Sequence, residues 1–171
     1  TPSSRVFFVK LLPGEREVAV CHSQIYPTAG YASPPGIERE LLNAAGPYAS
    51  GSSAQLRPSD PFWKTAIEEA RYEGEWLAAA AGHCLTIQDW NLFMTVFRPV
   101  DAANHGCLAF IDPDSPHYGG KETATSIEIL TRAYGVADEI LGAFMEMADA
   151  ETVVAVASDH GAAVNRVTCD I

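Results

Sequence analysis

Thr152-Val153-Val154-Ala155-Val156-Ala157 runs directly into Ser158-Asp159-His160-Gly161, and the reading of this stretch decides the fold. A short apolar run rich in β-branched residues reads as a strand covered on both faces. A carboxylate and an imidazole at its end are costly to bury without partners. Asp159 and His160 are therefore read as part of a site rather than of the core. Neighbouring residues of an extended chain point to opposite faces, so the two converge only if the chain turns at Gly161.

Working back from this stretch, Lys121–Ala148 has helical spacing, with Ile127, Leu130, Tyr134, Ala137, Leu141 and Phe144 on one predicted packing stripe. Upstream again, Asn91–Phe97 (NLFMTVF) is a second nearly continuous apolar run, predicted to be a buried strand. Strand, helical crossover and strand predict a parallel pair. Ligands of such sheets bind beyond the carboxyl ends of the strands. Asp101-Ala102-Ala103-Asn104-His105 follows the first run as Asp159-His160 follows the second, so the topology predicts both on one sheet edge. A short helix over Asp101–Phe110, after Pro99, would place Asp101 and His105 on one face through their i,i+4 spacing. Carboxylate and imidazole together suit borderline divalent metals, zinc in particular.

Other titratable residues have plainer readings. Asp112, Asp114 and His117 lie in a Pro-containing loop, Ile111–Gly120, as turn formers. His22 and His83 read as structural or surface histidines.

The front of the chain is loop-rich. Arg5–Leu11 and Arg16–His22, separated by Leu12-Pro13-Gly14-Glu15, predict a β-hairpin. Ser23–Gly36 reads as irregular, Ile37–Ala45 as a helix stopped at Gly46, and Gly46–Pro61 as a second loop. Asp60-Pro61 is a helix start, with Asp as N-cap and Pro in the first turn. That helix is predicted to reach about Gly82, with Trp63, Ile67, Ala70, Gly74 and Leu77 on one stripe. Tyr26, Tyr31 and Tyr48 fit a pocket lining or loop packing equally well.

The chain has 171 residues, 47% of them hydrophobic, which fits one domain with a real core. No apolar run approaches the roughly 20 residues that span a bilayer. The opening Thr1-Pro2-Ser3-Ser4-Arg5 has no signal-peptide pattern and no initiating Met. The formal net charge of −11 argues against a nucleic-acid polymer as partner. It still allows a small phosphate substrate if bound cations supply the positive charge. Cys21, Cys84, Cys107 and Cys169 are widely spaced, which favours free thiols and a reducing, cytoplasmic compartment.

Phe97-Arg98-Pro99-Val100-Asp101-Ala102-Ala103-Asn104-His105 and Val153-Val154-Ala155-Val156-Ala157-Ser158-Asp159-His160-Gly161, in this order and spacing, resemble the alkaline phosphatase superfamily in its type I phosphodiesterase/nucleotide pyrophosphatase branch. The resemblance is good from about Trp90 to Asp170. It implies an α/β fold, here part of an alkaline-phosphatase-like parallel sheet flanked by helices. Residues 1–60 would form a cap-like hairpin and loop segment, and residues 61–171 the ligand-bearing part of the hydrolase core. It also implies a phosphate-ester hydrolase with two divalent metal ions, usually zinc, and a covalent phospho-enzyme. Asp101 and His105 would serve one metal, Asp159 and His160 the other.

The sequence departs from that pattern in two places. No Asp and nucleophile motif precedes the hairpin, and no His follows His160. Thr28, Thr95 and Thr152 have no motif around them and none is assigned as nucleophile. The chain thus reads as the central part of a larger hydrolase, completed by the remainder of the domain and by itself nearly inactive. A non-catalytic α/β binding module is the alternative. Sulfatase, phosphomutase and phosphonate hydrolase share the same Asp–His pair. Arg166 fits a phosphate contact or a surface ion pair.

Overall fold

The computed structural model describes residues 2–11, 18–51, 55–87 and 89–164. The chain is helix-rich α/β and divides into two compact units, Thr1–Ser52 with Glu68–Val96, and Ser53–Ile67 with Phe97–Ile171.

In the first unit, β2 (Phe7–Leu11) and β3 (Val18–His22) pair antiparallel with Phe7 opposite His22, as the hairpin reading predicts. The turn at Leu12–Glu15 lies outside the described residues. β1 (Ser3–Ser4) pairs with β4 (Tyr26–Pro27), a contact hidden in the Pro- and Gly-rich stretch expected to be irregular. Buried Ser23 ties the hairpin to the strand on either side of it: its hydroxyl accepts from the Val6 amide at 3.1 Å and donates to the Gln24 carbonyl at 2.7 Å.

Helix α1 spans Ile37–Ala45 as predicted and stops at Gly46, whose φ of 76° suits glycine and whose amide donates to Leu42. Helix α2 spans Trp63–Ile87, outlasting the predicted end at Gly82. Over Glu68–Ile87 it is strapped to the loop after α1. Trp76 Nε1 donates to the Gly46 carbonyl at 2.9 Å, and the Tyr72 hydroxyl to the Pro47 carbonyl at 2.6 Å. The Tyr48 hydroxyl donates to buried Glu73 at 3.0 Å. Burial and the Glu73 charge push the Tyr48 hydroxyl up to about 12. Tyr48 meets both Tyr26 and Trp76 edge to face, with ring centres 4.9 Å apart in each contact. Tyr26 and Tyr48 are thus loop packing.

In the second unit, Asp60 accepts from the Phe62 amide at 2.8 Å and starts α2, whose first turn belongs here. Helix α3 (Pro99–Cys107) begins with Pro in its first turn and tightens into a 3₁₀ turn at Leu108–Phe110. Helix α4 (Thr123–Met147) packs against α3. Leu56, Trp63, Ala66, Ile67, Ala103, Cys107, Ile129, Ala133, Val136 and Ile140 form the core between them. The small side chains of Ala103 and Ala133, both fully buried, permit the close approach.

One expectation is corrected. The packing stripe of α4 is Ser126, Ile129, Leu130, Ala133, Val136 and Ile140, whereas Ile127 and Tyr134 are exposed. The period was right and the phase wrong, because α4 carries two apolar lines and only one meets α3. The parallel pair expected of residues 91–97 and 152–157 is not seen among the described residues. The described residues hold two antiparallel pairs of strands and no parallel pair. Residues 92–98 and 152–157 take no strand conformation. Leu92, Met94, Val96, Val153 and Val156 are exposed, with Val153 90% accessible. A covered strand needs neighbours for its backbone groups and both its faces. Among the described residues no strand pairs with either run.

Candidate functional site

All four candidate ligands lie in the second unit. Asp101 and His105 stand one turn apart on α3, with Asp101 Oδ1 and His105 Nε2 3.4 Å apart. The opposite side of the helix carries Ala103 and Cys107 into the core, which holds this pair outward. Two bound zinc ligands at about 2.0–2.1 Å in tetrahedral geometry lie about 3.3 Å from each other, so this spacing suits a shared cation.

Asp159 and His160 sit in a segment without regular structure, with Asp159 Oδ1 3.8 Å from His160 Nε2. The turn is local. The Ser158 hydroxyl donates to the His160 carbonyl at 2.6 Å, and His160 Nδ1 lies 2.9 Å from the Gly161 carbonyl. A carbonyl only accepts, so Nδ1 carries the proton. In the neutral ring Nε2 then presents its lone pair, as a metal-ligating histidine requires. The same contact raises the His160 pKa above its ordinary value, with a further push from Asp159 and a smaller one from Asp101.

His105 and His160 line one concavity of about 190 Å³ with Asn104, Leu108 and Ala109. Asn104 is oriented there: its amide donates to the Val100 carbonyl at 3.0 Å and meets the Tyr134 hydroxyl at 3.4 Å. On its other side His105, with Asp101, borders a wider concavity of about 540 Å³ lined also by Arg57, Ser59 and Phe110. Among the described residues no group of three or more His, Cys, Asp or Glu side chains is arranged to hold a metal ion.

The structure leaves the other titratable groups outside this site. Asp112 accepts from the Asp114 amide and Ser115 from the His117 amide, the turn chemistry expected of that loop. His83 pairs with Glu40 at 3.0 Å. Arg166 lies outside the described residues. Sequence reasoning missed Arg57, which no motif marks; its placement comes from the neighbouring α3. Gly106 packs so tightly on Leu56 that a β-carbon there would collide with the Leu56 carbonyl oxygen and crowd Arg57. Cys107, next along the helix, is fully buried with its thiol 3.7 Å from the same carbonyl, and burial pushes its pKa up to about 11.

No helix of the described residues is long and apolar enough to cross a membrane. No curated protein and no solved structure matches the chain. The profile of one family, type I phosphodiesterase / nucleotide pyrophosphatase, matches residues 15–168 and so spans both units and all four Asp and His positions. The chain belongs to the type I phosphodiesterase / nucleotide pyrophosphatase family, a group of phosphoric ester hydrolases.

Proposed function

We propose that this chain contributes the two Asp–His pairs of a two-metal phosphodiesterase acting on small phosphate esters. The observation that supports the reading is that one histidine of each pair, His105 and His160, lines the same concavity. The donor chemistry fits zinc: one carboxylate and one imidazole per pair, the first pair at tetrahedral spacing and His160 Nε2 freed by its Nδ1 contact. Asp101 and His105 would hold one ion, Asp159 and His160 the other. Bound divalent ions supply Lewis acidity toward a phosphoryl oxygen and offset the charge of the entering and leaving oxygens.

The chain's own residues do the rest. Helix α3 fixes Asp101 and His105 in place, and the turn at Gly161 selects the tautomer of His160. Family membership supports a covalent phospho-enzyme formed on a Thr or Ser side chain. No residue of this chain is assigned that role. The parallel sheet of the superfamily, with residues 92–97 and 152–157 as two of its strands, is the arrangement in which both exposed runs would be covered. Residues 1–60 would then serve as a cap on the substrate side.

The test is turnover of an aryl phosphodiester by the full-length protein carrying Asp159→Ala or His160→Ala. Loss of turnover by more than about a hundredfold is expected for each. Retained turnover with either change removes that residue from the machinery. A competing reading, a non-catalytic binding module with incomplete metal sites, draws on the lack of a three-donor group among the described residues. A full-length protein that hydrolyses no ester and holds no stoichiometric zinc would favour it.

A further inference from the structure

We propose that Arg57 is an anion contact beside the Asp–His pairs, selecting phosphate esters that carry a second negatively charged group next to the reacting phosphoryl. The identity of the reacting group rests on the hydrolase reading above; the anion contact itself does not.

Three observations converge on it. Arg57 lines the wider concavity together with Asp101 and His105, and the same His105 also lines the smaller concavity that holds His160. A ligand whose phosphoryl sits at His105 has room to extend toward Arg57. The space of about 540 Å³ is within the usual range for small-molecule sites, and Phe110 gives it one apolar wall.

Second, Arg57 is held from its backbone. Leu56 is buried against α3 at Gly106, the Arg57 amide donates to the Gln55 carbonyl, and the Asp60 amide donates to the Arg57 carbonyl. The base of the side chain is thus set one residue along the helix from His105.

Third, among the described residues Arg57 makes no ion pair, in a chain with 22 acidic and 11 basic residues. Arg132, by contrast, is taken up by Glu128 at 2.8 Å and by the face of Trp63. Asp101 shares the concavity with Arg57, but a carboxylate committed to a cation no longer competes for the guanidinium. The fork of Arg57 is then available to two phosphate oxygens at once. A diphosphate or another ester with an adjacent anionic group would use both ends of the concavity. A singly charged diester would use only the His105 end.

The experiment compares wild type, Arg57→Ala and Arg57→Lys of the full-length, zinc-loaded protein in two measurements. Calorimetric titration with inorganic pyrophosphate and with inorganic phosphate reads the anion contact without turnover. Wild type is expected to bind pyrophosphate at least about tenfold more tightly than phosphate, Arg57→Ala to lose that preference and Arg57→Lys to keep part of it. Steady-state kinetics then compare bis-p-nitrophenyl phosphate with a dinucleoside diphosphate. Arg57→Ala is expected to raise KM for the diphosphate about tenfold, with a smaller change for the singly charged diester. Equal factors on both substrates, or an unchanged preference for pyrophosphate, overturn the proposal. A pyrophosphate preference that depends on Arg57 in a protein hydrolysing neither substrate upholds the anion contact and overturns the hydrolase reading alone.

Discussion

Asp101 and His105 stand on a helix whose other face is packed into a core. Asp159 and His160 hang on a turn closed by its own serine and glycine. The chemistry of the two pairs is the same, and their support differs. At α3, donor spacing is imposed by helical geometry and defended by Ala103, Cys107 and Ile129, all fully buried. At the second pair, order comes from two hydrogen bonds among neighbours, and Asp159 is 91% accessible. The first pair should therefore respond to changes in the core, and the second to changes in local charge.

The strongest way to break this contrast is through the seam between α3 and α4. Ile129→Ala is expected to cost about 2–5 kcal/mol by leaving a cavity under α3. Denaturant unfolding would measure it, and zinc binding at Asp101 and His105 should weaken while the His160 titration stays in place. Next comes a matched pair of glycines. Gly106→Ala forces a β-carbon into the Leu56 carbonyl and is expected to cost about 1–3 kcal/mol. Gly161→Ala meets nothing within 4 Å and should stay within about 0.5 kcal/mol. Similar losses at both would mean that the two pairs are supported alike.

The smallest effect concerns protonation. In the metal-free protein the His160 ring should titrate above its ordinary value, followed by NMR of the ring protons. Asp159→Asn should lower the midpoint, and Asp101→Asn should lower it less, in the order of their charges' influence. The raised pKa favours the protonated folded state. Its contribution is present below the ordinary pKa of histidine and is lost as pH rises through the raised one. Metal competes with that proton, so zinc affinity at this pair should climb over the same interval.

Much of this was legible in the sequence because local chemistry fixed it. Ile37–Ala45 with Gly46, Asp60 before α2 and Pro99 at the head of α3 signal their ends through capping and backbone constraint. The Asp–His clusters stood out because charge after an apolar run is conspicuous, and their role as metal ligands is the proposal made above. What was not legible depends on neighbours. Whether 92–97 and 152–157 are strands is decided by what pairs with them. The phase of α4 depended on which of two apolar lines met α3, and small residues such as Ser126 and Ala133 conceal the packed one. Arg57 gave no signal because its role comes from a helix far along the chain.

The buried thiol of Cys107 gives this protein a built-in clock. A sulfhydryl with a pKa near 11 and no solvent access reacts with a thiol reagent only when its helix opens. Cys107 lies two residues beyond His105 on α3, so the rate at which it is labelled reports how often the platform beneath the first Asp–His pair comes apart. An ion bridging Asp101 and His105 should slow that labelling in proportion to its hold on the closed helix, while the partly exposed thiol of Cys84 marks the unprotected rate.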